Sequence, residues 1–174
     1  MSVQDIIAYP NALLRQQATA VTEFDQTLTR LVEHLTDTLY ATPGIGLCAP
    51  QLGQSRRIAI MDLSEDQTEL DLYINPVIIK KSGFAIADEG CLSIPGVTAK
   101  VIRSAQILVR AQTVNGEPFE RELDGMHAVC MQHEIDHLDG ILFFDRLSSA
   151  RRLIHRRALR RLENNEAQQT AEAV

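Results

Sequence analysis

The hexapeptide Gln132-His133-Glu134-Ile135-Asp136-His137 sets the strongest condition on how this chain can fold. Its two histidines are four residues apart, and on a helix such a pair shares one face, with Cβ atoms about 5–6 Å apart. Both imidazoles then reach a single metal ion, which holds a histidine nitrogen at about 2.0–2.1 Å if it is zinc. Glu134 follows the first histidine, so it leans over the ion from one side without ligating it. A carboxylate there can take a proton from a water held by the metal. The plain alternative is two surface histidines on an ordinary helix. In a chain with five histidines the full pattern arises by chance in roughly one case per hundred, so a metal helix is the stronger reading.

At 174 residues the chain is expected to form one catalytic domain over 1–174, long enough for a hydrophobic core. No apolar run approaches the length of a membrane span, so no membrane association is expected. The opening Met1-Ser2-Val3-Gln4-Asp5 has an acid where a secretion signal needs basic residues, and it does not read as a transit peptide, so a cytoplasmic location is expected. Three cysteines argue against a disulfide framework and raise the question of which one binds a metal. The net charge of −6 speaks against a general nucleic-acid binder, and no specific DNA partner is expected. Residues 146–162 differ: they hold seven arginines (at 146, 151, 152, 156, 157, 160 and 161) and no acid, and without those charges the rest stands at −13.

Asn11 can cap a short helix over residues 12–15. Leu28, Leu31, Val32, Leu35 and Leu39 recur with helical spacing and predict an amphipathic helix over about 25–42. Pro43-Gly44-Ile45-Gly46 ends it and opens Leu47-Cys48-Ala49-Pro50-Gln51, where glycine would allow a ligand to approach the backbone. Strand-like runs follow at 57–63, 70–74 and 77–80, with Asn75-Pro76 breaking the last two. Residues 87–93 read as a loop or strand end closed by Ile94-Pro95-Gly96. Strands at 99–103 and 107–112 precede the hairpin signal Asn115-Gly116 and a return strand over 118–123. The histidine helix should run over about 126–138 and stop at Asp139-Gly140. A basic helix is expected over about 146–163, packed by Leu147, Ile154, Ala158 and Leu162 with Leu153 beside them, and then a polar tail over 164–174. The predicted class is α+β: antiparallel or mixed β-sheets packed around a central metal-binding helix, with an N-terminal helix and a C-terminal helix.

Two histidines leave a divalent ion short of ligands, because catalytic sites commonly use three protein ligands and a water. His127, His155, the carboxylates and the three cysteines are candidates. Cys91 is the best of them, in a turn-like stretch between Gly90 and Leu92 with acids nearby. Cys48, beside apolar Leu47 and Ala49, reads as a small buried residue. Cys130 lies one turn before His133 and faces the site without easily joining both histidines on one ion. A thiolate with two neutral imidazoles suits zinc or ferrous iron. One divalent ion is expected, Fe2+ or Zn2+ on these donors alone, with Ni2+ or Co2+ also able to occupy the purified protein. Met126, Val129 and Cys130 precede His133 on its own helix face. They offer an apolar, polarisable wall beside the metal position and can equally be part of the core.

Three segments, Gly44-Ile45-Gly46-Leu47-Cys48-Ala49-Pro50-Gln51, Glu89-Gly90-Cys91-Leu92-Ser93 and the hexapeptide, resemble in order and spacing the three motifs of the peptide deformylases. The resemblance runs from the N-terminus to about Leu147. The family usually has alanine where this chain has Cys48, a difference expected to alter packing and not chemistry. The resemblance implies removal of the N-formyl group from the formylmethionine that begins new bacterial polypeptides. It implies Cys91, His133 and His137 as metal ligands, and Glu134 as general base and then acid. Gln51 and the Leu92 backbone N–H are implied as donors to the developing oxyanion. Ile45, Gly46 and Gly90 would line the substrate pocket beside Met126, Val129 and Cys130. Asp136 is expected to support the helix or a ligand, with Arg103 and Glu89 as its partners by family position. The basic C-terminal helix would dock through phosphate contacts on the ribosome near the exit tunnel, where formylated chains emerge.

Two other readings use the same helix. A zinc endopeptidase needs a third ligand well downstream, and His155, inside the arginine-rich segment, is the one histidine found there. A structural-zinc or RNA-binding module needs four protein ligands and has no use for Glu134.

Overall fold

The Asp25 carboxylate starts helix α1 (Gln26–Tyr40) by accepting the Leu28 N–H at 3.0 Å, which satisfies one of the open donors of the first turn. The computed structural model that shows this describes residues 3–172; Met1, Ser2, Ala173 and Val174 lie outside the described residues. Leu28, Leu35 and Leu39 of α1 are buried against Leu47, Ile58, Ile60 and Ile74, so its leucine stripe is core.

Seven strands follow: β1 (Gly46–Cys48), β2 (Ile58–Met61), β3 (Asp71–Ser82), β4 (Ala85–Cys91), β5 (Ile94–Arg103), β6 (Gln106–Gln112) and β7 (Pro118–Asp124). Five of them form one sheet in the order β1-β2-β3-β6-β7, while β4 and β5 make a separate hairpin. Every strand pairing is antiparallel. With three helices this is an α+β protein.

Two expectations about the strands need correction. The break foreseen at Asn75-Pro76 is absorbed inside a continuous β3, as a register shift between Ile74 and Val77. Asn75 adopts φ +53°, which asparagine tolerates, and its side chain accepts from Val21 N and donates to Val21 O, both at 2.8 Å. The irregularity therefore ties the N-terminal segment to the sheet. The stretch 87–93, expected as a loop or strand end, is most of β4 and the turn into β5. Alanine, aspartate, glutamate and glycine are poor strand formers. What overrides them is a partner across the hairpin: the buried carboxylate of Glu89 is paired with Arg103 of β5.

Helix α2 (Gly125–Leu138) begins directly after β7 and packs on β1, β2, β6 and β7. Residues 128–132 and 134–138 are all buried, so the helix is covered on nearly every side. It ends at Gly140, where φ is +72° and a Cβ would stand 2.5 Å from the Arg15 carbonyl oxygen, so only glycine fits.

The C-terminal helix also departs from expectation. Helix α3 is Ser149–Glu172, so it starts after Arg146 and Leu147 and takes in most of the segment expected as a polar tail. Leu147 is buried, but in the connection before the helix. The face that packs on β5 is Ala158, Leu159 and Leu162, while Ile154 is 76% exposed. Ala158 and Leu162 of the expected stripe do pack, but Leu159 joins them where Ile154 was expected, and Leu147 lies outside the helix. Arg146 leaves the basic row altogether and binds Asp136 of α2.

Candidate active site

Helix α2 and the β4–β5 hairpin bring together three side chains that could hold a metal ion. Ligand atoms of Cys91, His133 and His137 all lie within 4.8 Å of one another, and no other such cluster occurs among the described residues. The histidines come from one face of α2. Cys91 ends β4 at a register shift, where the ladder slips between Gly90 and Cys91 and turns the sulfur inward. Cys91 Sγ lies 3.1 Å from His137 Nε2. His127 and His155, the other candidates on or beyond the helix, are not in the cluster.

The surroundings set which atoms face the cluster. Glu89 Oε2 meets His133 Nδ1 at 2.8 Å. Burial works against the charge of Glu89, but hydrogen bonds from Arg103 and His133 outweigh it and hold the carboxyl at about 2. An ionised Glu89 can only accept, so Nδ1 carries the proton and Nε2 is left for the cluster. Burial would lower His133 too, yet its hydrogen bonds to Cys91 and Glu89 push it up to about 10. His137 is held well below the ordinary histidine range by burial, with the neighbouring His133 adding to the effect. It therefore presents a neutral ring.

Arg103 is the keystone behind this arrangement. It donates to Glu89 through Nε at 2.7 Å and Nη2 at 2.9 Å, and Nη1 donates to Asp136. Arg146 binds Asp136 from the other side. Asp136 thus anchors α2 to both the hairpin and the connection before α3.

Glu134 is almost fully buried, and its Oε2 has no hydrogen-bond partner. Burial pushes its carboxyl up to about 7, against the attraction of His133 and the effect of the nearby Cys48 thiol. Its space exists because residue 46 is glycine: a Cβ there would lie 2.6 Å from Glu134 Oε1 and 2.7 Å from Cys130 Sγ.

Gln51 is oriented by its acceptor side. Its Oε1 accepts the Cys48 backbone N–H at 3.0 Å and the Cys48 thiol at 3.2 Å. A backbone N–H can only donate, so the amide nitrogen must point the other way. There it donates to Ser93 Oγ at 3.1 Å and lies 3.7 Å from Cys91 Sγ. Cys48 was expected to matter for packing alone. It is fully buried, as foreseen, but its thiol donates to the Gln51 amide oxygen and lies near enough to Glu134 for the two groups to shift each other's titration.

A cavity of about 490 Å³ opens beside the cluster, lined by Ile45, Gly46, Gln51, Gly90, Met126, Val129 and Cys130 together with Cys91, His133 and Glu134. Leu92 also lines it. Sequence reasoning missed Pro43, Gly44, Asp88 and Pro95 on its wall, and Ser93 as the Gln51 partner. Pro43 and Gly44 sit in the glycine-rich stretch that follows α1. Nothing in the sequence pointed to Asp88 or Pro95, which are brought to the rim by the unforeseen hairpin.

A sequence profile of the family described as polypeptide deformylase matches residues 3–153. The chain belongs to that family. Among curated peptide deformylases, that of Alkalilimnicola ehrlichii is 45% identical over 163 residues, covering 93% of this chain and 92% of the relative. That of Chromobacterium violaceum is 43% identical over 148 residues, 85% of this chain and 89% of the relative. The crystal structure of a peptide deformylase from Legionella pneumophila superposes with a TM-score of 0.87 at 39% identity, covering 95% and 98% of the two chains. A peptide deformylase structure from Arabidopsis thaliana gives 0.92 at 35% identity, covering 97% and 94%. The profile stops at residue 153, so most of α3 lies beyond the part that defines a polypeptide deformylase.

Proposed function

We propose that this chain hydrolyses the N-formyl group from the formylmethionine of nascent polypeptides, releasing formate. One observation carries the reading: Cys91, His133 and His137 meet beside a buried, unpartnered oxygen of Glu134 at the wall of an apolar cavity. A sulfur with two imidazole nitrogens, one ring neutral and the other oriented by a carboxylate, is a donor set that fits a divalent ion. We assign Fe2+ as the working ion, with Zn2+, Ni2+ or Co2+ as substitutes. Such an ion would supply an acidified water and a Lewis-acid contact for the formyl oxygen.

The side chains divide the remaining work. Glu134 accepts the proton of the attacking water and passes it to the peptide nitrogen, so the C–N bond breaks to give formate and a free amine. Burial, which raises the Glu134 carboxyl, favours its taking up that proton. Gln51 Nε2 and the Leu92 backbone N–H donate to the oxygen that gains charge, and losing one such donor typically costs about 2.7–4 kcal/mol. Met126, Val129, Cys130 and Ile45 receive the methionine side chain. Gly46, on the edge strand β1, and Gly90 let the peptide backbone come close as an added strand. No described helix is long and apolar enough to cross a membrane. Nascent chains as substrates place the work in the cytoplasm, with α3 meeting ribosomal RNA near the exit tunnel.

The test is purification without oxygen, elemental analysis, and formate release from formyl-Met-Ala-Ser. About one iron per chain and one formate per free amine are expected. A chain that holds its ion and releases no formate overturns the reading.

A further inference from the structure

The outward side chains of the β4–β5 hairpin form a strip that begins at the cavity and ends in an apolar patch. The register lays it out in rungs: Gly90 opposite Thr98, Asp88 opposite Lys100, Ile86 opposite Ile102. Gly90 and Asp88 are also cavity wall. On the middle rung Lys100 Nζ meets Asp88 Oδ2 at 3.3 Å. Beyond it Ile86 and Ile102 are 61% and 62% exposed, and Phe84 is 81% exposed. The fold does not need these three, because the opposite face of β5 already supplies Val97, Ala99 and Val101 to the core. Large apolar side chains gathered on one open face mark a contact surface.

We propose that this strip is a track for the substrate polypeptide downstream of its formylmethionine, with the patch at its far end selecting apolar side chains. The proposal rests on the cavity being the substrate pocket. Continuity names the occupant. A chain held by its first residue in the cavity delivers its next residues to the rim at Gly90 by covalent connection, at high effective concentration. An extended chain advances about 3.3 Å per residue and repeats its side chains every second residue, the same repeat as the rungs. Gly90 to Ile86 is about 13 Å on that scale, so substrate residues about four beyond the one passing Gly90 reach the isoleucines. Phe84 is reached about two residues later. The Asp88–Lys100 rung between them presents both charges and accepts side chains of either sign. The enzyme would thereby sort substrates whose reacting end is identical in all of them.

The experiment compares formyl-Met-Ala-Ser with two formylated decapeptides that differ only in having Leu or Ser at positions 6–9. The wild type should favour the Leu decapeptide by about fivefold in kcat/KM, through KM, from the apolar area buried on the patch. Combined Phe84→Thr, Ile86→Thr and Ile102→Thr, which keep strand-forming side chains, should erase that preference and leave tripeptide turnover unchanged. Ile102→Glu should instead favour a decapeptide with Lys at the same positions. Equal rates of the wild type on both decapeptides, or a preference that survives the triple substitution, overturn the track. Failure of the wild type on the tripeptide itself would instead overturn the reading of the cavity, and the track with it.

Discussion

Gly46 and Glu134 are packed so that the missing side chain of one makes room for the carboxylate of the other. A Cβ on residue 46 would stand 2.6 Å from Glu134 Oε1. Strand β1 is hydrogen-bonded to β2 and cannot retreat, so Gly46→Ala should push the carboxylate aside. The expected outcome is metal content near wild type and kcat lowered about 100-fold, the usual consequence of misplacing a reacting group by about 1 Å. Steady-state kinetics with metal analysis checks it.

Glu134→Ala should keep the metal and lower kcat by about 10²–10⁴-fold, because the water loses its base. Glu134→Asp should recover little, since the shorter arm does not span the same distance. Comparable turnover in Glu134→Ala would remove Glu134 from its proposed role.

The Arg103 cluster should separate stability from metal affinity. Arg103, Glu89 and Asp136 have side chains only 4%, 4% and 7% exposed. Arg103→Met takes the arginine partner from the buried Glu89 carboxylate and leaves Asp136 to Arg146, and should cost about 3–5 kcal/mol, read by chemical denaturation. Glu89→Gln keeps the shape but weakens the hold on His133 Nδ1, and should reduce metal affinity about 10–100-fold in a chelator competition.

Asp62 supplies a pH test away from the Cys91, His133 and His137 cluster. It accepts from the Ser64 hydroxyl and backbone N–H, from Tyr40 Oη at 2.8 Å and from Glu69 N at 3.2 Å, and its own N–H binds Ile45 O at 2.9 Å. The Ser64 hydroxyl foremost holds its carboxyl below the usual range, despite burial. A depressed folded-state value gives stability that is full above the unfolded value, about 3.9, and is lost as pH falls through the folded one. The Tm gap between wild type and Asp62→Asn should therefore be constant from pH 8 to about 5 and close below about pH 4. A gap unchanged at pH 3 would contradict this.

The C-terminal helix calls for a different set of substitutions than its sequence suggests. Arg146 is held by Asp136, Arg151 donates to the Lys100 carbonyl and Arg152 to the Asp145 carbonyl. Arg156, Arg157, Arg160 and Arg161 are exposed. Changing Arg156, Arg157 and Arg160 to Glu should leave formyl-tripeptide hydrolysis intact and weaken ribosome co-sedimentation, most clearly at low salt. Unaltered co-sedimentation across a salt series would return the helix to a plain solvated element.

Much of this protein was legible in its sequence, and the legible parts share a property. Helix α1, the span of α2, the β6–β7 hairpin and the grouping of the histidines on one face all follow from spacing within a single element, where geometry is set by 3.6- or 2-residue periods. The three recurring segments added the family. The tertiary structure decided the rest. It made 87–91 a strand, because Arg103 from another strand neutralises Glu89 there. It turned Arg146 inward to Asp136 and brought Leu159 onto the packed face of α3. It set the Cys48 thiol against Gln51 and the Gly46 backbone against Glu134. Each of these depends on two segments far apart in the chain meeting at a few ångströms, and local periodicity carries no information about which distant partner arrives or how closely it packs.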